Sequence, residues 1–254
     1  MFFNSIEDPT PFTSHRPWPL PRGRWIMGQR WSNLLFAHWP LPVDRVRPLV
    51  PSSLTLDTFN QTAWITVAPF LISHLHARWL PPLPMISEFP ELNVRTYVTY
   101  AGKPGVYFFS LDAGSALAVE GARRLYRLPY YRASMKVHDS SEGRVFYQSH
   151  RIHAGAPPAD FDASYRPTGS STTSTPGSLD YFLTERYCLY AADSAGGIYR
   201  AEIHHQPWPL QPAECQIGNN TMAAAAGLTV DGPPARVSFS RALDVAVWPL
   251  VRAS

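Results

Sequence analysis

The sequence predicts an α+β, mainly β protein: a closed or nearly closed antiparallel β-barrel with a few short helices. Three observations carry this expectation. Ten or so segments are rich in β-branched and aromatic residues, several alternating apolar with polar positions. Prolines number 26 among 254 residues, about twice the usual share; an interior proline costs a helix about 3 kcal/mol, so long helices are excluded. Hydrophobic residues make up 45% and charged ones only 16%, which excludes a disordered or coiled-coil chain. A chain of this length buries roughly three quarters of its unfolded surface. It is therefore expected to form one domain over residues 1–254 without needing a disulfide or metal.

The elements follow in order. Residues 1–28 are proline-rich and aperiodic, an arm that wraps over something. Trp31 to Trp39 reads as a strand, and Pro42 to Pro51 as a short helix with Val43, Val46 and Val50 at helical spacing. Leu54–Phe59 and Thr62–Leu75 read as extended, before a break at Pro81-Pro-Leu-Pro84. Glu91–Tyr100 and Val106–Asp112 form a hairpin around Ala101–Gly105. Ser115–Leu125 is the clearest helix, with Leu117, Ala118, Ala122 and Leu125 on one side. Tyr130–His138, Arg144–His153, Arg186–Ala191, Gly197–His205 and Val237–Trp248 supply further strands, and Leu179–Thr184 a helix. The Ser/Thr/Gly/Pro segment 168–177 is expected to be a mobile loop.

Charge and motifs exclude several classes. Basic residues number 22 against 19 acidic, scattered with no run longer than Arg123-Arg124, so no phosphate-tracking stripe exists and no nucleic-acid partner is expected. Two cysteines, Cys188 and Cys215, make no disulfide framework; with no apolar leader and no 18-residue apolar stretch, the expected setting is cytoplasmic and off the membrane. There is no G-x-G-x-x-G, Walker loop, G-x-S-x-G, H-E-x-x-H or C-x-x-C. No cofactor is expected. His74 and His76 share a strand face but lack a local third ligand, so no metal site is expected. His204 and His205, being adjacent, point opposite ways, one toward a cavity and one outward. Glu185-Arg186 is read as a structural salt bridge.

The most informative stretch is Glu91-Leu-Asn-Val-Arg-Thr-Tyr-Val98. Strict alternation places Glu91, Asn93, Arg95 and Tyr97 on one face. In a barrel whose outside is covered, that polar face is the lumen, where low dielectric shifts pKa values and grips a small polar ligand. Ser110 and Asp112 repeat the pattern.

Several motifs resemble the YqjF-like proteins, a bacterial family of unknown function: Trp31–Trp39, Phe89–Val98, Phe108–Asp112, Leu128-Pro-Tyr130, Leu183–Tyr187 and His205–Leu210. That family more distantly resembles acetoacetate decarboxylase, a β-barrel enzyme whose lysine forms a Schiff base with a β-keto acid. Val43–Leu54 resembles the decarboxylase's short helix ending in Val-Pro-x-x-Leu, and Arg124–Tyr131 its Glu-Leu-Trp-Gly-Phe-Pro-Lys-Lys. By this resemblance Tyr130 takes the place of the Schiff-base lysine, and Tyr131 that of its pKa-lowering neighbour. Glu91 falls on the essential cavity glutamate and His38 on a carboxylate-gripping arginine. The only lysines are Lys103, expected in an exposed turn, and Lys136, roughly 20 Å along the strand from Tyr130, so imine chemistry is not expected. The resemblance also implies a homo-oligomer.

Three readings stay open. The cavity binds a small carboxylate or carbonyl metabolite, with Arg95 as counter-ion and Asn93, Tyr97, Ser110, Asp112 and Tyr131 around it. Alternatively it is a non-imine enzyme for enolisation, isomerisation or hydrolysis, with Glu91 as acid or base and Tyr130 or His38 donating a proton. In the third, Glu91 and Arg95 only fix strand register.

Overall fold

The computed structural model describes residues 8–82 and 87–253; the first seven residues of the arm and the second half of the Pro81–Pro84 break lie outside them. Thirteen strands form one continuous hydrogen-bonded sheet. They are β1 (Met27–Leu41), β2 (Thr55–Leu56), β3 (Ala63–Ala77), β4 (Phe89–Tyr100), β5 (Lys103–Ala113), β6 (Tyr130–Asp139) and β7 (Val145–Arg151), followed by β8 (Asp160–Pro167), β9 (Cys188–Ala192), β10 (Ile198–His205), β11 (Leu210–Asn220), β12 (Arg236–Val247) and β13 (Val251–Arg252). Four short helices interrupt them: α1 (Val43–Val46), α2 (Ala116–Tyr126), α3 (Leu179–Thr184) and α4 (Met222–Ala225).

The pairings close on themselves twice. β1, β3, β4, β5, β9, β10 and β12 form a smaller ring. β5 also pairs with β6, and β6-β7-β8-β11 runs back to β12, closing a larger ring of nine strands. All pairings are antiparallel except β5–β6 and β5–β9. The first needs a crossover, and α2 supplies it.

Closing the sheet buries its apolar face without leaving long open edges. The larger ring holds one core, around Tyr147, Phe161, Tyr165, Phe239, Leu92 and Val94. The smaller ring is lined by Tyr97, Val106, Leu111, Leu189, Ile203 and Val245. The β4–β5 hairpin turns within two residues, Ala101 at φ 48° and Gly102 at φ 74°, so β5 starts earlier than the sequence suggested. Lys103 therefore sits in the strand, 3.4 Å from Glu202 and over the Trp18 ring, rather than in an exposed turn. β8 and β11 escaped the sequence reading because aspartates alternate with the buried Phe161, Ala163 and Tyr165, and because Pro212 and Gly218 punctuate β11.

Residues 8–26 fold onto β10 of the same chain. Arg16 donates to Glu202 (2.9 Å) and to the Ile203 carbonyl (2.6 Å), and the Trp18 indole donates to Glu202 (2.7 Å). Of His204 and His205, one was expected to face outward, but both are buried, His204 beneath this arm. Its Nδ1 accepts from Arg16 and its Nε2 donates to the Pro9 carbonyl. Segment 168–177 is tied to β11 through reciprocal Thr172–Leu210 backbone bonds and Gln211 donating to Gly169.

One buried ion pair joins the two rings. Arg151 of β7 grips Asp112 of β5 through two hydrogen bonds, at 2.8 and 2.6 Å. Replacing Asp112 by Asn should destabilise the protein by about 3 to 5 kcal/mol, because it strands a buried guanidinium. A urea midpoint that falls accordingly checks this.

Candidate functional site

A cavity of about 250 Å³ lies inside the smaller ring. Every strand of that ring contributes to its wall, with Trp31, Leu75, Glu91 and Arg95 among the lining residues. Phe108, Leu189, His205 and Val247 also line it, with Phe108 beside Arg95 in the β4–β5 register. The crossover helix α2 forms the remaining wall through Ala118, Gly121, Ala122 and Leu125. Leu125 belongs to the wall yet is 72% exposed, which places the opening beside this helix. The expected apolar side of α2 thus faces the cavity mouth, while Val119 and Tyr126 are its buried anchors. Ser115 caps it by accepting from the Ala118 amide.

Glu91 stands on β4 opposite Phe70 and Ala113, its carbonyl held by the Tyr147 hydroxyl at 2.7 Å. Tyr130, first residue of β6, lies beside Leu111 in the parallel pairing and donates to the Glu91 carboxyl at 2.9 Å. Burial is the main cause that raises the Glu91 pKa, to about 8; the Tyr130 hydrogen bond opposes it and Asp112 adds to it. At neutral pH this side chain is therefore mostly a neutral acid. Burial also pushes the Tyr130 phenol well above its ordinary pKa, with Glu91 adding to the shift.

Arg95 is buried with no carboxylate in salt-bridge range among the described residues. Its Nη2 reaches the Leu183 carbonyl at 3.4 Å, its guanidinium lies over the Phe36 ring at 5.2 Å, and its Nε has no partner. Burial lowers its pKa, partly offset by Tyr97. From Phe36 an aromatic chain runs along the wall: Phe36 meets Trp208 edge-on at 4.9 Å, and Trp208 stacks on Trp31 at 5.9 Å. Both indole nitrogens are buried and unpartnered, as is Nε2 of His205. His205 donates from Nδ1 to the Gln206 carbonyl, and burial holds its pKa at about 3, so it is neutral.

Of the residues singled out from the sequence, Glu91, Arg95 and Tyr130 come together on the cavity wall. Asn93 and Tyr97 keep the expected side of β4 but not the wall. Asn93 is buried with an unpartnered Oδ1, and Tyr97 bonds Thr66 at 2.5 Å and packs on Phe182. His38 is likewise behind the wall, its Nδ1 on Thr66 Oγ1 at 2.8 Å and its pKa held low by burial and then by Arg95. Ser110, Asp112 and Tyr131 are elsewhere. In the β4–β5 register, Arg95 pairs with Phe108 and Val94 with Ser110, so Phe109 is an extra, bulged residue. Phe108 and Leu111 thereby both face the cavity, and Ser110 and Asp112 face the opposite side. Tyr131, opposite Asp112 in the parallel pairing, packs under Arg151 at 4.2 Å.

Sequence reasoning missed Trp31, Trp208 and Arg186 as wall residues, and left open which of His204 and His205 faces the cavity; it is His205. Arg186 does not pair with Glu185; it donates to Asp57 at 2.6 Å, while Glu185 takes the Tyr187 hydroxyl and the Trp208 amide. The signal for Trp208 lay in the aromatic-proline cluster Gln-Pro-Trp-Pro, which has no periodicity to betray which way it points. His74 has φ 54°, a break in β3, and His76 bonds the His74 carbonyl, so the two do not share a strand face. Both lysines lie off the wall, with Lys136 exposed on β6.

Comparison with known proteins places this geometry. The family described as an uncharacterized conserved protein, DUF2071, matches residues 28–244. The chain belongs to the DUF2071 family. A relative in Bacillus subtilis (strain 168), the uncharacterized protein YqjF, is 48% identical over 231 residues, covering 91% of this chain and 94% of its own. Among solved structures, the enduracididine biosynthesis enzyme MppR complexed with pyruvate superposes with a TM-score of 0.60 at 11% identity, covering 92% of each chain. Acetoacetate decarboxylase from Legionella pneumophila gives 0.58 at 12% identity, covering 100% of this chain and 98% of its own. The DUF2071 chain thus shares the decarboxylase-like fold. No helix among the described residues is long and apolar enough to cross a membrane.

Proposed function

We propose that this DUF2071 protein binds a small carboxylate or carbonyl metabolite in the smaller ring, with Arg95 as counter-ion and without an imine. One observation carries the reading: Arg95 is a buried guanidinium with no acidic partner among the described residues, on the wall of a cavity of ligand size. A protein keeps an uncompensated buried charge only at a cost, which a bound anion removes. The solved complex of MppR with pyruvate supports a small acid as the class. Neither Lys103 nor Lys136 lines the cavity, which supports a reading without a Schiff base. The two free cysteines fit a reducing, cytoplasmic setting.

A second reading rests on Glu91. A carboxyl with a pKa near neutrality beside a phenol is a proton-transfer pair, so the bound compound would be enolised, isomerised or hydrolysed. The register-only reading loses support, since Glu91 and Arg95 form no ion pair with each other.

A thermal-shift screen of small carboxylic and keto acids tests the proposal. Stabilising compounds are expected with the wild type and lost with Arg95→Met. No stabilisation by any acid overturns it. Consumption of a hit, abolished by Glu91→Gln, selects the enzymatic reading.

A further inference from the structure

Resting on that reading, we infer that the ligand is a monocarboxylic acid with an apolar tail, its carboxylate at Arg95 and its tail running toward α2. The charge on the wall fixes the first part. Arg186 is already neutralised by Asp57, and Glu91 is mostly uncharged at neutral pH, so Arg95 presents one positive charge without a counter-ion among the described residues. A monoanion balances it, and a dianion brings a second charge into an apolar site with nothing to meet it. The donors close by, the unpartnered Arg95 Nε and the Trp31 and Trp208 indoles, are donors only and so suit an anion rather than a cation.

The tail follows from the rest of the wall. The cavity is otherwise mostly apolar, lined by Leu75, Leu111, Leu128, Leu189 and Val247. Its volume of about 250 Å³ holds about eight water-sized groups at roughly 30 Å³ each. That is a carboxylate with about five to seven carbons behind it, more than a two- or three-carbon oxo acid fills. Gly121 of α2 lines the cavity, and a methyl group added there meets no atom within 4 Å, so a longer side chain has room to stand at this position.

Calorimetric titration of the wild type with straight-chain acids from acetate to dodecanoate tests this, with pyruvate and adipate as controls. Affinity should rise about four-fold per methylene, peak near six to eight carbons, and be at least ten-fold weaker for adipate than for hexanoate. Gly121→Leu should move the peak to shorter acids; Ala122→Leu is the parallel variant if the first does not fold. Equal affinity across lengths, or strongest binding by pyruvate, overturns the tail while sparing the acid-binding reading. Saturable binding by no acid of any length defeats both.

Discussion

Arg95→Met is expected to raise the unfolding temperature while abolishing acid binding. The guanidinium is buried, meets one long hydrogen bond and two ring faces, and has no carboxylate among the described residues to compensate its charge. Methionine fills similar volume without a charge to desolvate. Replacing buried charges by apolar groups of matching size gains about 1 to 4 kcal/mol in other proteins, which for a chain of this size is a rise of a few degrees to about ten. Saturating ligand should narrow the gap by stabilising only the wild type. Scanning calorimetry of both proteins, with and without hexanoate, reads the effect. A variant that melts lower than wild type in the absence of ligand would mean that Arg95 is a structural strut rather than a held-open anion site.

The second large effect is a pH-dependent stability difference between wild type and Glu91→Gln. The Glu91 carboxyl has a folded-state pKa of about 8 against an unfolded value of 4.5. Between these values the folded protein holds a proton that the unfolded chain has lost. Stability from this group is fully present below pH 4.5 and is lost as pH rises, at about 1.4 kcal/mol per pH unit. It levels off above pH 8, for a total of order 5 kcal/mol. Glutamine stays neutral and keeps much of the shape, so Glu91→Gln should gain on the wild type steadily from pH 5 to 8. Comparing the two cancels histidines such as His205, which act in the opposite sense at lower pH. Urea denaturation at four pH values checks the slope, and a constant difference across that range would mean that Glu91 is ionised in the folded protein.

Both effects trace to residues legible in the sequence. The alternation in β4 put Glu91 and Arg95 on one face because the pleat fixes side-chain direction at period two, and Leu128-Pro-Tyr130 marked the tyrosine beside them. The scarcity of lysines was equally legible, and Lys103 and Lys136 both stand off the wall. Alternation stopped being a guide at Phe109, where the bulge in β5 turned Ser110 and Asp112 away from the cavity. A bulge inserts one residue without changing the local composition, so Ser110 and Asp112 still read as a polar face.

Sequence alone thus determined the strand-rich class, the absence of long helices, and the shared face of Glu91 and Arg95 on β4, since each depends on intrinsic propensity or local period. Tertiary structure alone decided that β5 pairs in parallel with β6 and β9, that α2 walls the cavity mouth, and that Trp31, Trp208 and His205 join Arg95. These are juxtapositions of segments up to about 180 residues apart in the chain. They are set by which rings close and what they bury, and no window of sequence contains that information.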